Sequence, residues 1–233
     1  MMGRGNQEGV LRRILLLAVM GCIATTGVVA EARRSVTEKI EWTYTDRPET
    51  LVAVLPNVLM VGDSITRAYY PEVAKALEGK ANVYYFATSC SVGDERLKPQ
   101  LAEYFKMIGV RFSVVHFNNG MHGWGYTEQE FKEYFPELIT AVHAGAPNAK
   151  LVWATITPVR KDKDGGATNA RIEARNAIAD AQVKAAGIPV DDQHALMMSH
   201  QDLHSDDVHF KAEGSALQAQ QVAGSMERLL PAK

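Results

Sequence analysis

A serine, a histidine and a carboxylate stand in two short segments at opposite ends of this chain. Gly62-Asp63-Ser64-Ile65 follows directly on the apolar run Val58-Leu59-Met60-Val61, and Asp206-Asp207-Val208-His209 lies near the C-terminus. A serine hydroxyl is a weak nucleophile near neutral pH. It needs a base to take its proton, and that base needs a third group to hold it in the right tautomer. Residues three apart in a turn or helical segment share a face. Asp206 can therefore reach one nitrogen of the His209 imidazole and leave the other for Ser64. Asp207, one residue closer to the histidine, points elsewhere and is assigned to solvent or capping. The chemistry this set suits is acyl transfer, with Ser64 as nucleophile, His209 as general base and then acid, and Asp206 as its orienting partner.

Such a set must be positioned by elements far apart in sequence. Short apolar runs alternate with helical patterns along the chain. The expected strands are Asn57–Val61, Val83–Ala87, Phe112–Phe117, Lys150–Ile156 and Ile188–Val190. Helices are expected over Tyr70–Glu78, Glu95–Met107, Glu128–Ala144, Asn169–Ala186 and Lys211–Leu230. Thr127 is placed to cap the third of these, with Glu130 at the capping-box position. Gly187 ends the fourth. This alternation predicts an α/β fold with a mostly parallel five-stranded sheet covered on both faces. Ligands of such sheets bind beyond the carboxyl ends of the strands, and Ser64 immediately follows one. A serine there also has helix-start N–H groups beside it, able to receive a developing oxyanion.

The two motifs together resemble those of the SGNH (GDSL-type) hydrolases, from about Asn57 to the end of the chain. The resemblance implies a three-layer α/β/α sandwich of flavodoxin-like type and the triad roles given above. It also implies an oxyanion hole built from the Ser64 N–H, a glycine N–H after the second strand, and an asparagine side chain after the third. Gly93, in Ser89-Cys90-Ser91-Val92-Gly93, occupies the glycine's place. The third motif departs from the usual Gly-x-Asn-Asp and reads Phe117-Asn118-Asn119-Gly120-Met121-His122-Gly123-Trp124. Asn119 is the preferred donor there, with Asn118 and His122 as alternatives. Further candidates for substrate binding are Asp63, Arg67, His122, Trp124, Tyr126 and Arg160. The spacing of His194, His200 and His204 is not that of a metal site, and no metal or cofactor is expected.

Net charge is −2, and 46% of residues are hydrophobic, which argues against disorder and gives no basis for nucleic-acid binding. Residues 1–30 read as a signal peptide. Arg4, Arg12 and Arg13 open it, Ile14–Ala30 is uncharged, and Val28-Val29-Ala30 offers a small-residue cleavage site. The uncharged run falls short of the roughly 20 residues a spanning helix prefers. A retained anchor, or a lipoprotein signal with Cys22 as the lipidated residue, are the alternatives, and they would be the chain's only attachment to a membrane. Cleavage would leave Cys90 without a partner, and a buried small hydrophobe is its default reading. Residues 31–50 read as a polar lead-in arm and 51–233 as the hydrolase domain. The expected activity is that of an exported serine esterase acting on short acyl esters, mainly acetyl groups on carbohydrate. The rivals are a lysophospholipase or thioesterase, an O-acyltransferase, and a non-catalytic carbohydrate-binding or envelope protein. The oligomeric state is not legible in the sequence.

Overall fold

The computed structural model describes residues 33–232, and the expected signal segment lies outside the described residues. Six strands form one sheet: β1 (Thr43–Asp46), β2 (Asn57–Gly62), β3 (Asn82–Thr88), β4 (Val114–Phe117), β5 (Lys150–Ala154) and β6 (Val190–Asp191). Their spatial order is β1-β3-β2-β4-β5-β6, and all pairings are parallel except that of β1 with β3. Helices α1 (Ser64–Ala76) and α6 (Ala212–Glu227) pack together on one face. On the other, α2 (Leu97–Ile108), α3 (Glu128–Gly145) and α4 (Asn169–Ala185) pack in sequence, giving the three-layer α/β/α sandwich. A short helix, α5 (Gln193–Met198), leads into the C-terminal loop.

The sheet has six strands, not the five expected. The additional one, β1, lies in the lead-in arm. All four of its residues are exposed, so it carries none of the apolar alternation that marks a strand in sequence. What makes it a strand is the free edge of β3, with register running from Thr43↔Thr88 to Asp46↔Tyr85. The first helix also starts earlier than expected. Asp63 caps it by accepting from Ile65 N–H at 2.9 Å, and Pro71 is accommodated inside it. The His194–His204 stretch begins with α5, capped by Asp192, and His204 is buried between Gln201 O and Pro158 O.

The central strands are buried throughout except at Asn57, where β2 begins, as a parallel sheet covered on both faces requires. Below the site the core is aromatic, with Trp153 between Phe117 and Phe135 at ring separations of 5.3 and 4.7 Å. The strand order explains where the site falls. From β2 the chain crosses to β3 on one side, then back over β2 to β4 on the other. The carboxyl end of β2 is thus the topological switch point, where the crossover loops part and leave a crevice. Ser64 is the first residue beyond it.

Candidate active site

Gly62 ends β2 under Thr66. A Cβ added there would meet the Thr66 side chain at 2.0 Å, so only glycine lets the turn into α1 close this tightly. Ser64 then stands at the first position of α1, half exposed, with a backbone N–H that has no intrahelical acceptor. Ser64 Oγ lies 2.7 Å from His209 Nε2, and His209 Nδ1 lies 2.9 Å from Asp206 Oδ2. Asp206 Oδ1 accepts from the backbone N–H of both Val208 and His209, each at 2.7 Å. Burial works to raise the Asp206 pKa. Those two N–H groups and the imidazole outweigh it and hold the carboxyl down to about 2. The loop carrying the pair is closed by Ser205 N–H to His209 O at 2.8 Å and Lys211 N–H to Leu203 O at 2.8 Å. Asp207, outside this chain of bonds, pairs with Arg160 through both backbone and side chain.

The arrangement can pass a proton from Ser64 Oγ to Nε2 while the carboxylate fixes the Nδ1–H tautomer and balances the imidazolium. It does so near the surface: the side chains of His209 and Asp206 are 41% and 59% exposed. An ester on a bulky chain can therefore approach Ser64 without entering a tunnel.

The other oxyanion candidates lie on the loops that follow β3 and β4. Gly93 sits on the face of Tyr126, and a Cβ there would meet that ring at 2.7 Å. Its neighbours are set by a turn in which Asp94 N–H donates to Ser91 O. Asn119 Nδ2 donates to Cys90 O at 2.8 Å, tying the loop after β4 to the loop after β3 with its second N–H unspent. Asn118 Nδ2 turns away to Ala154 O at 2.6 Å. His122 lies on the far side. Its Nδ1 faces Glu38 Oε1 at 3.3 Å, its ring meets Trp42 edge-on at 5.7 Å, and its Nε2 is buried without a partner. Gly93, Asn119 and His122 all line one small cavity with Ser91 and Tyr126.

The remaining sequence candidates fall differently. The Asp63 carboxylate is buried and serves as the α1 cap. Arg160 is held by Asp207. Tyr126 is buried, with its hydroxyl donating to Arg34 O and accepting from Val36 N–H. Trp124 donates Nε1–H to Met121 O and lies under the guanidinium of Arg175 at 4.1 Å. Both rings thus pack the base of the 118–126 loop. Arg67, one helical turn beyond Ser64, lies over the ring of Tyr44 at 4.3 Å and that of Trp42 at 5.6 Å.

Two groups were not singled out in the sequence. The first is the arm. Arg33 pairs with Glu137 over Tyr134, Arg34 pairs with Glu130, and Glu38 accepts from Gly123 N–H. The second is Arg175. Its side chain is 1% exposed, and it donates to the carbonyls of His122 at 3.2 Å, Gly123 at 3.1 Å and Tyr126 at 2.9 Å. Burial, then Arg171 nearby, pulls its pKa down to about 10. One signal did exist: Arg175 falls in step with Ile172, Ala179 and Val183 on the buried face of α4, an unusual place for a cation. Cys90 is free and buried, and burial pushes its thiol up to about 12.

The GDSL-like Lipase/Acylhydrolase family model matches residues 60–217, and the chain belongs to that family. Family membership implies ester hydrolysis as the general chemistry. No curated protein matches the chain in sequence. Among solved structures, a GDSL-like lipase from Bacteroides thetaiotaomicron is 15% identical, with 74% of this chain and 88% of that one covered and a TM-score of 0.59. A lipase/acylhydrolase from Enterococcus faecalis is 18% identical, covering 77% and 99%, with a TM-score of 0.58. A carbohydrate esterase family 3 protein from Talaromyces cellulolyticus is 16% identical, covering 75% and 98%, with a TM-score of 0.57. At these identities the likeness is one of fold.

Proposed function

We propose that this protein is an exported serine esterase that removes short acyl groups, chiefly acetyl, from carbohydrate. The observation that carries the reading is the continuous hydrogen-bonded line from Ser64 Oγ through His209 to Asp206, at 2.7 and 2.9 Å, at the switch point of the sheet. Ser64 Oγ attacks the ester carbonyl and its proton passes to His209 Nε2. The carbonyl oxygen becomes the oxyanion and is met by the N–H groups of Ser64 and Gly93 and by the Asn119 side chain. Collapse of the tetrahedral intermediate breaks the C–O bond, and His209 gives its proton to the departing sugar hydroxyl. Water, deprotonated by His209, then attacks the acyl-enzyme and releases acetate with Ser64 restored.

The surface position of His209 and Asp206 favours an acyl group carried on a polymer over a lipid chain that must be enclosed. Carbohydrate as the carrier draws on the exposed ring of Tyr44 and the half-buried ring of Trp42, which lie against Arg67 one helical turn from Ser64, and on the fold shared with a carbohydrate esterase. Export rests on the reading of residues 1–30. Among the described residues no helix is long and apolar enough to cross a membrane.

The test is acetate release by the purified protein and its Ser64→Ala variant from p-nitrophenyl acetate, a long-chain p-nitrophenyl ester and acetylated xylan. Loss of roughly 10³-fold or more from the acetyl substrates in the variant is expected. Faster turnover of the long-chain ester would move the reading to a lysophospholipase or thioesterase. No release by the folded wild-type protein would remove the hydrolase altogether.

A further inference from the structure

We infer that the arm and the first turn of α1 build a subsite for a sugar bearing a carboxylate, so that this enzyme prefers acetyl esters on uronate-containing glycans. The inference rests on the esterase reading for its ester, but not for its binding site. Three side chains from two distant segments meet beside the nucleophile. Trp42 and Tyr44 come from the arm, with ring centroids 5.5 Å apart, and Arg67 comes from α1 and lies over both. Arg67 follows Ser64 by three positions in the same helix, so their side chains leave adjacent points of one face, about 5–6 Å apart at Cβ.

The platform is held rigidly. Trp42 N–H donates to Ser89 Oγ at 2.9 Å, and Ser89 N–H returns a bond to Trp42 O at 3.1 Å. Glu41, next in the arm, accepts from Ser89 Oγ at 2.9 Å and from Arg96 at 3.0 Å. The backbone at Trp42 is therefore pinned to the same loop that carries Gly93, before any ligand arrives. Preorganisation of this kind spares a ligand the cost of ordering its site.

The chemistry of the ligand follows from what the cluster lacks. Arg67 and Tyr44 are exposed, and among the described residues no carboxylate lies within ion-pair distance of Arg67. Three described acids of the arm are engaged elsewhere, Glu38 with His122 and Gly123, Glu41 with Arg96 and Ser89, and Asp46 with Arg47 N–H at 2.7 Å, and the fourth, Glu49, makes no ion pair with Arg67. The guanidinium thus rests with one face on aromatic carbon and its N–H fork unspent. That fork matches a carboxylate in bidentate geometry. The exposed Tyr44 ring beside it offers apolar surface to a pyranose. A sugar whose ester carbonyl reaches Ser64 would lay its own or its neighbour's carboxylate at Arg67.

Two measurements test this. The first is calorimetric binding of unesterified oligogalacturonate and of xylo-oligosaccharide of equal length to the wild-type protein and to Arg67→Gln, Arg67→Lys and Tyr44→Ala. Oligogalacturonate is expected to bind wild type at least tenfold more tightly than the neutral chain. Arg67→Gln abolishes that ratio, Arg67→Lys keeps part of it, and 0.5 M NaCl reduces it. Tyr44→Ala weakens both ligands. The second is the ratio of kcat/KM for acetylated oligogalacturonate over acetylated xylo-oligosaccharide, expected to fall about tenfold in Arg67→Gln; thermal melts establish that each variant is folded. Equal binding of the two chains by wild type, or a ratio untouched by Arg67→Gln, overturns the subsite even if the protein is an active esterase. Uronate binding that depends on Arg67 with no ester cleaved overturns the esterase and leaves the subsite standing.

Discussion

Arg175→Met separates a stabilising role for the buried arginine from a positioning one. Two effects oppose each other in this substitution. Burial and the neighbouring Arg171, only partly offset by Glu128, pull the guanidinium pKa from 12.5 to about 10, a net cost to the charged form of roughly 3 kcal/mol that methionine does not bear. Against that, carbonyls lose their donor. Tyr126 O keeps the Arg171 Nη2 bond at 2.8 Å, and Gly123 O keeps the Tyr126 N–H bond at 3.0 Å. The carbonyls of His122 and Gly120, the latter 3.5 Å from Nη1, are left bare. Each buried, unpaired carbonyl costs about 1–3 kcal/mol, and losing a charged donor puts the sum near 5 kcal/mol. The difference is a net loss of about 2 kcal/mol, or roughly 4–8 °C in Tm for a domain of this size. Activity should suffer more than stability, because the freed carbonyls belong to the loop that carries Asn119 and His122. A displacement of about 1 Å there lowers kcat/KM on a short acetyl ester roughly 10²-fold. Urea unfolding and steady-state kinetics on the same preparation read both quantities. Full activity in Arg175→Met refutes the positioning argument, and a loss of stability above 4 kcal/mol refutes the cancellation.

Asp206→Asn is expected to lower kcat roughly 10³- to 10⁴-fold, because asparagine has one oxygen for the three N–H groups that two carboxylate oxygens now serve. Its stability signature is small and has a defined sign. A carboxyl held at about 2 contributes stability that is complete above about 4 and is lost as pH falls through 2. At 59% exposure this amounts to less than about 1 kcal/mol, so urea melts of variant and wild type at pH 6 should nearly coincide. Cys90, with its thiol pushed up to about 12 and no surface exposure, should resist iodoacetamide at pH 8 until the protein is unfolded, as mass spectrometry can follow.

The sheet was legible where burial shapes composition. Strands β2 to β5 are apolar runs because both of their faces are covered, and the capping box at Thr127 and Glu130 stands where the sequence placed it. Ser64, Asp206 and His209 were legible for another reason. Each lies in a segment whose local geometry already orients it: a strand-to-helix turn that only Gly62 permits, and an aspartate that bonds the backbone of its own histidine. The surroundings of the site have no such local signature. Strand β1 exists only because β3 has an unpaired edge, so Trp42 and Tyr44 are brought to Arg67 by backbone bonds that no composition announces. Trp124 and Tyr126 make the converse case. They are aromatic, glycine-flanked and close to the site in sequence, yet Arg175 and the arm draw both rings into packing. The turn at Ser64 and the Asp206–His209 pair are each set by contacts within a few residues, whereas the bond between Ser64 and His209 and the contact of residues 42–44 with Arg67, to which we assign the choice of sugar, appear only once the chain has folded.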